Sequence, residues 1–404
     1  MATTPSRTRT RRTPASDAAL LRAIAPVGAD EFLAEHWERK PLHVARGEPG
    51  RFDDLLSAGD ADRLISEPGL RYPGFRLAKA GEQPDRREYT VDLPWRPLPF
   101  SGTAETTEVL RRFETGTTVV LQGLHLTWTP LALYCRELEA FLGHPAQANA
   151  YYTPRHAQGL PVHHDTHDVL VLQVAGSKRW LVYDPAFELP LKHQHYAAAM
   201  GCPGPAVLDV ELAAGDTLYL PRGWLHEAVT SEEDSLHLTV GVAVVTWVDA
   251  FRAALAECER ELEFRRSLPE DGEGGEELLG PLAERLAPEQ VAARARARFL
   301  AGRRPILDGQ LDELRALPGL TVETAVARRG TVIADLEEAG DGRLALVFEG
   351  KRVLFPERAR EEVEELVGAT GPLRLVDLPG RLDAAGRLVL ARRLVREGFL
   401  RIVG

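Results

Sequence analysis

Cysteine is scarce in this 404-residue chain: Cys135, Cys202 and Cys258 are the only three, and they lie far apart. That excludes a disulfide-stapled small domain and fits a reduced, cytoplasmic setting. No apolar run approaches the roughly 20 residues a bilayer crossing needs, so no membrane partner is expected. No secretory apolar segment follows the start of the chain. Methionine occurs twice and lysine is rare beside arginine, a bias of coding rather than of function. Positive charge is in deficit, 49 basic against 60 acidic residues for a net charge of −11. Such a chain is a poor generic binder of phosphate backbones, and nucleic acid is not an expected partner. What remains is ordinary globular composition, 44% hydrophobic and 27% charged, enough for two or three domains with real cores.

Along the chain the composition changes four times. Residues 1–16 are rich in Thr, Ser, Pro and Arg and read as a disordered tail. From Asp17 to about Leu142, short helical segments (Ala18–Ile24, Asp30–Trp37, Phe52–Ser57) alternate with strand-like runs (41–44, 117–122). From Gln147 to Val245 the chain reads as strands separated by Gly, Pro and Asp turns: 169–174, 180–183, 217–220 and 236–245. Many short strands of this kind predict a sandwich or barrel. The period then changes. Residues 249–268 and 278–302 look helical, with the acidic, glycine-rich stretch 270–276 between them. The last hundred residues carry a helix near 308–317, a hairpin over 343–355, and helices over 357–367 and 383–398. That pattern suggests an α+β, winged-helix-like domain.

The chemistry concentrates in residues 161–168, Pro-Val-His-His-Asp-Thr-His-Asp. His163 and Asp165 form an H-x-D pair. On a strand, residues i and i+2 share a face, so an imidazole and a carboxylate can reach one point. Alone the pair is common by chance. A later histidine, His226, closes the segment Gly215-Asp216-x-x-x-x-Pro221-x-Gly223-x-x-His226, with room between for several strands. Two histidines and one carboxylate on one face leave about three open positions on an octahedral metal, the facial arrangement of non-haem Fe(II) oxygenases. Zinc more often takes three histidines or a cysteine-containing set. Lys178, after the Gly176-Ser177 turn, has two readings. It is a cation deep in the barrel, placed to neutralise the distal carboxylate of 2-oxoglutarate, or it is a solvated turn lysine. His164 and His167 read as entrance residues. His237 reads as a core histidine or one that supports a ligand.

At these residues the chain resembles the JmjC-domain ribosomal oxygenases, Fe(II)- and 2-oxoglutarate-dependent protein hydroxylases of the cupin superfamily. The resemblance is carried by Asn149-x-Tyr151-x-Thr153-Pro154, by Gln158-Gly159-x-x-x-His163-x-Asp165, and by Leu172-Gln173-Val174-x-Gly176-x-Lys178-x-Trp180. It continues in Gly215-Asp216-x-x-Tyr219-x-Pro221-Arg222-Gly223-x-x-His226 and Ser235-Leu236-His237-Leu238-Thr239, with Trp37-Glu38-x-Lys40-Pro41-Leu42 upstream. It implies a mainly β catalytic domain, a double-stranded β-helix or jelly-roll cupin of JmjC type, over 17–247. A helical dimerisation segment over 248–304 and a winged-helix-like domain over 305–404 would follow.

By the same resemblance His163, Asp165 and His226 are the iron ligands, and Lys178 binds the 2-oxoglutarate carboxylate. Asn149 lies near that co-substrate. O₂ is the second co-substrate, and no catalytic side chain beyond the metal ligands is required. Where some members carry Ser after the His-Leu-Thr stretch, this chain has Gly241. The implied activity is hydroxylation of an Arg or His side chain in a ribosomal protein by a cytoplasmic homodimer. An acidic chain would attract such basic partners. A peptide natural-product hydroxylase and an N-methyl demethylase use the same chemistry. A DNA-binding regulator acting through residues 387–401 is the reading from another class, set back by the acidic cluster of Glu361, Glu362, Glu364 and Glu365.

Overall fold

The computed structural model describes residues 11–13, 15–80, 82, 84–94, 96–197, 203–339 and 342–403. They divide into two compact units, Asp17–Val244 and Val245–Gly404, the latter joined by the residues up to Ser16. Strands are numbered along the chain. The two-residue β1 (Arg11–Arg12) belongs to the second unit. The first unit holds β2 (Leu42–Val44), β3 (Phe75–Ala78), β4 (Thr90–Leu93), β5 (Phe100–Ala104), β6 (Thr118–Leu121) and β7 (Ala146–Thr153). It continues with β8 (Asp168–Ala175), β9 (Lys178–Tyr183), β10 (Leu208–Leu212), β11 (Thr217–Leu220), β12 (Leu225–Val229) and β13 (Ser235–Val242).

Seven of these strands form one sheet in the order β2-β11-β8-β13-β7-β6-β3. Three form a second sheet, β10-β9-β12. Every pairing in both is antiparallel. The alternation of side chains explains the layers. Val169 and Val171 on β8 point into a buried cluster with Trp180 and Val182 of the small sheet. Leu170, Leu172 and Val174 point the other way, into a cluster with Leu20, Ile24, Phe32, Leu131 and Leu138 of the helices. A strand buried on both faces is mostly apolar, so the 169–172 stretch of β8 reads as a continuous run rather than an alternating one. Among the covering helices, Thr129–Leu142 has Pro130 in its first turn and ends at Gly143, whose φ of 74° suits only glycine without strain.

In the second unit, β14 (Ala325–Arg328), β15 (Ala334–Glu338), β16 (Arg343–Phe348), β17 (Lys351–Pro356), β18 (Leu373–Arg374) and β19 (Leu400–Val403) form two sheets, β1-β15-β16-β17 and β18-β14-β19. They share a core with the helices Arg360–Gly368 and Ala384–Arg396 through Val363, Leu366, Leu390 and Leu394.

Three expectations differ. The tail is not wholly free, because Arg11 and Arg12 pair with Leu336 and Asp335, and the Thr13 N–H donates to the Ala334 carbonyl at 3.0 Å. The exposed backbone of an edge strand accepts any extended segment that reaches it. Residues 1–10 and 14 of that tail lie outside the described residues. The expected helix over 278–302 is two helices, Gly275–Leu286 and Pro288–Ala301. Ala287 is extended between them, as a residue before proline prefers. The helix expected to run to 268 ends at Cys258.

Candidate metal centre

His163, Asp165 and His226 converge, with one ligand atom from each lying within 4.8 Å of the others. The route differs from strand alternation. His163 precedes β8, where it makes an isolated bridge to His226. The His163 N–H donates to the His226 carbonyl at 3.1 Å, and the His226 N–H returns to the His163 carbonyl at 2.8 Å. The Gly223 N–H donates to the Asp165 carbonyl at 3.0 Å. Backbone pairing thus clamps the two ligand-bearing segments together before any ion is considered.

The imidazoles are oriented alike. Nδ1 of His163 lies 2.8 Å from the Pro161 carbonyl, and Nδ1 of His226 lies 3.0 Å from the Trp224 carbonyl. A carbonyl only accepts, so each Nδ1 carries the proton and each Nε2 keeps its lone pair for a metal. His226 Nε2 lies 3.7 Å from Asp165 Oδ2. Burial, with His163 alongside, pushes His226 down to about 4, so its imidazole is neutral at physiological pH. Burial alone would raise the Asp165 carboxyl, but His167, His226, His163 and His164 together hold it below the usual range. Two imidazoles and one carboxylate, with each Nδ1 held by a carbonyl, suit a divalent transition metal with open positions.

The three residues line a cavity of about 240 Å³ shared with Lys178, Tyr151 and His237. Lys178 is only 4% exposed. Its Nζ donates to Thr153 Oγ1 at 3.0 Å, and Thr118 Oγ1 donates to the same oxygen at 3.1 Å. Among the described residues no carboxylate pairs with it, and burial pushes its ammonium down to about 7. The solvated-turn reading of Lys178 is excluded. A buried cation facing a cavity without a counter-charge is a cradle for an anionic ligand. His237 stacks on Tyr151 with ring centroids 5.0 Å apart, meets Trp180 edge-on at 5.5 Å, and is held neutral by burial and by Lys178.

Asn149 is not among the residues lining this cavity. Its Oδ1 accepts the Gly123 N–H at 2.9 Å, which braces the turn after β6 instead. In the same motif Tyr151 does line the cavity and Thr153 accepts from Lys178, both on its face of β7 by period two. Reading that alternation forward would have found both. Gly241 has a local reason: an added Cβ would lie 2.2 Å from His167 Cδ2, so the His167 ring fills the space a side chain would take. His164 is buried and bonded through Nε2 to the Gln194 carbonyl at 3.1 Å, an anchor for the 191–196 loop rather than an entrance residue. Arg76 on β3 also lines the cavity, in a strand the mixed pattern of the early chain concealed.

Residues 125–250 match the JmjC domain family. The chain carries a JmjC domain. It is 32% identical over 222 residues to a bifunctional lysine-specific demethylase and histidyl-hydroxylase NO66 of Drosophila pseudoobscura pseudoobscura, covering 55% of this chain and 22% of that protein. It is 32% identical over 257 residues to ribosomal oxygenase 1 of Gallus gallus, covering 61% of this chain and 41% of that one. The chain thus spans less than half the length of these curated relatives. The ribosomal oxygenase YcfD of Escherichia coli, solved with cobalt and 2-oxoglutarate, superposes with a TM-score of 0.57 at 18% identity, covering 94% of this chain and 99% of that one. That likeness is one of fold. The first unit, which contains most of the JmjC match, is accordingly a cupin-type domain, mainly sheet with helices packed on it.

Proposed function

We propose that this chain is an Fe(II)- and 2-oxoglutarate-dependent oxygenase that hydroxylates a protein side chain, Arg or His, in a ribosomal protein. The observation that carries the reading is Lys178, a buried cation with no carboxylate partner among the described residues, lining the same cavity as His163, Asp165 and His226. An anion completes that arrangement, and a dicarboxylate anchored at one end by Lys178 places its other end toward the three ligands. His163 and His226 would hold the metal through Nε2 and Asp165 through its carboxylate. When bound, Fe(II) supplies the oxidation: with O₂ and 2-oxoglutarate it turns a C–H bond into C–OH, releasing succinate and CO₂. The chain supplies the ligands, the carboxylate anchor and an apolar wall of Val169, Val171, Leu220 and Trp180 that excludes water.

The relatives named as ribosomal oxygenases support a ribosomal substrate. The domain reading is a catalytic domain over 17–247, a dimerisation segment over 248–304 and a winged-helix-like domain over 305–404, in a cytoplasmic homodimer. Leu255, Leu262 and Leu268 in the helical segment support the dimer, being 46%, 60% and 87% exposed. Among the described residues no helix is long and apolar enough to cross a membrane.

The test is intact-mass comparison of ribosomal proteins from cells with and without this gene. A gain of one oxygen atom's mass in a single ribosomal protein is expected. No gain in any of them, with the same gain in a small peptide, would move the assignment to a peptide hydroxylase.

A further inference from the structure

The cavity at the candidate metal centre shares a wall, Arg76, Gly159 and Leu160, with a second cavity of about 770 Å³. Through Tyr72 and Arg86 the second continues into a third, of about 460 Å³, beside Ser101 and Gly102. Together they make a groove over β3 and the β4–β5 hairpin that leads to the metal cavity. Its charge opposes that of the chain as a whole. Arg76, Arg86 and Arg87 line it. Two carboxylates also line it, and each is engaged elsewhere: Glu82 with Lys79 at 3.0 Å, and Asp92 with the Gly102 N–H at 2.8 Å. Among the described residues no carboxylate is paired with the three guanidiniums.

Two aromatic rings at or beside the groove carry a guanidinium on one face. The Arg86 guanidinium lies 4.8 Å over the Tyr72 ring, and that of Arg71 lies 5.0 Å over Phe100. A ring capped in this way has one face occupied, which halves the surface it offers a stacking nucleic acid base. A guanidinium stacked by its face keeps its in-plane N–H donors free, and these match a carboxylate two at a time.

We propose that this groove docks the protein substrate as an extended segment bearing Asp or Glu side chains beside the residue that enters the metal cavity. The proposal rests on the hydroxylase reading. The carboxylate nearest the entering residue meets Arg76, and those further along meet Arg86 and Arg87. A substrate that is basic overall still fits, provided an acidic stretch flanks its target residue. Local sign governs docking at contact distance, because net charge is screened within about 10 Å at moderate salt.

The test uses the full chain loaded with Co(II) and 2-oxoglutarate, and fluorescence anisotropy of short fluorescein-labelled probes. One peptide has a central histidine flanked by glutamates, and a second carries lysines in place of the glutamates. A labelled oligouridylate of similar length is the third probe. The glutamate peptide is expected to bind tighter than the lysine peptide by on the order of tenfold at low salt, with the preference shrinking as salt rises. Arg86→Glu with Arg87→Glu should remove the preference. Arg86→Gln with Arg87→Gln should weaken it without adding like charge. Equal binding of the two peptides, or tighter lysine-peptide binding, overturns the proposal. An oligouridylate that displaces the glutamate peptide also overturns it, in favour of a phosphate-binding surface. The Co(II) absorption band in each sample separates the two claims. Without Co(II) uptake by the unaltered protein, the hydroxylase reading fails. With uptake but no discrimination between peptides, only the groove proposal fails.

Discussion

Lys178 is the residue on which stability and function pull apart. Its ammonium sits near 7 instead of 10.5 because it is buried. That shift corresponds to on the order of 5 kcal/mol of lost stability. The unfolded chain holds its proton up to 10.5, so the penalty is complete below about pH 7 and is relieved as pH rises from there. Lys178→Met is therefore expected to melt several degrees higher than the unaltered protein at pH 6–7, with the gain fading toward pH 10 in a calorimetric series. The same variant should lose 2-oxoglutarate turnover, while Lys178→Arg keeps part of it. A dicarboxylate must also find the lysine protonated. Its affinity, read by titration calorimetry, is expected to be flat below pH 7 and to fall about tenfold per unit above it. At the ligands, His163→Ala or His226→Ala should abolish Co(II) uptake, measured by its absorption band, with the far-ultraviolet spectrum unchanged.

The turn between β11 and β12 sets where His226 stands. Gly223 has a φ of 92°, and a Cβ there would lie 2.3 Å from the Phe187 carbonyl oxygen. Its neighbour Arg222 reaches Asp168 at 3.0 Å and also Glu38, while the Tyr219 hydroxyl donates to Asp168 at 2.8 Å. Asp168 opens β8, three residues after Asp165, so this buried pair ties the two ligand-bearing stretches from behind. Arg222→Met is expected to cost about 3–5 kcal/mol, because Asp168 is then left buried without its cation. Urea denaturation would measure it, and Co(II) affinity should fall in the same variant. Much of this level was legible. The runs at 169–174, 180–183 and 217–220 became β8, β9 and β11 nearly residue for residue, because continuous apolar character between turn residues marks a buried strand. The early strands β3, β4 and β5 were not. Their residues alternate weakly, and pairing with distant strands decides their conformation.

At the scale of the molecule, charge and assembly matter. A net charge of −11 predicts affinity for basic partners, yet the groove beside the metal cavity is lined by arginines with no carboxylate paired to them among the described residues. Net charge governs long-range approach, whereas a docked segment reads the groups it touches. In the helical segment, Ala250, Ala254 and Val291 make a small core, while Leu262 and Leu268 stay exposed. Sedimentation velocity is expected to show a dimer at micromolar concentration. Leu262→Glu with Leu268→Glu should shift it to monomer without changing the melting temperature by more than a few degrees.

What the sequence determined by itself was the candidate donor set and the apolar runs that became β8, β9 and β11. H-x-D, a later histidine behind a Pro-x-Gly turn, and a lysine after a glycine hairpin are local statements, and local spacing is visible in one dimension. Only the tertiary structure decided the rest. It bridged His163 to His226 by a reciprocal backbone pair, buried Lys178, bound Asn149 to the Gly123 N–H, and filled the notch at Gly241 with the His167 ring. Each of these depends on which distant segment occupies the neighbouring space. Burial and pairing across tens of residues come from the packed chain as a whole, and no spacing of residue types encodes them locally.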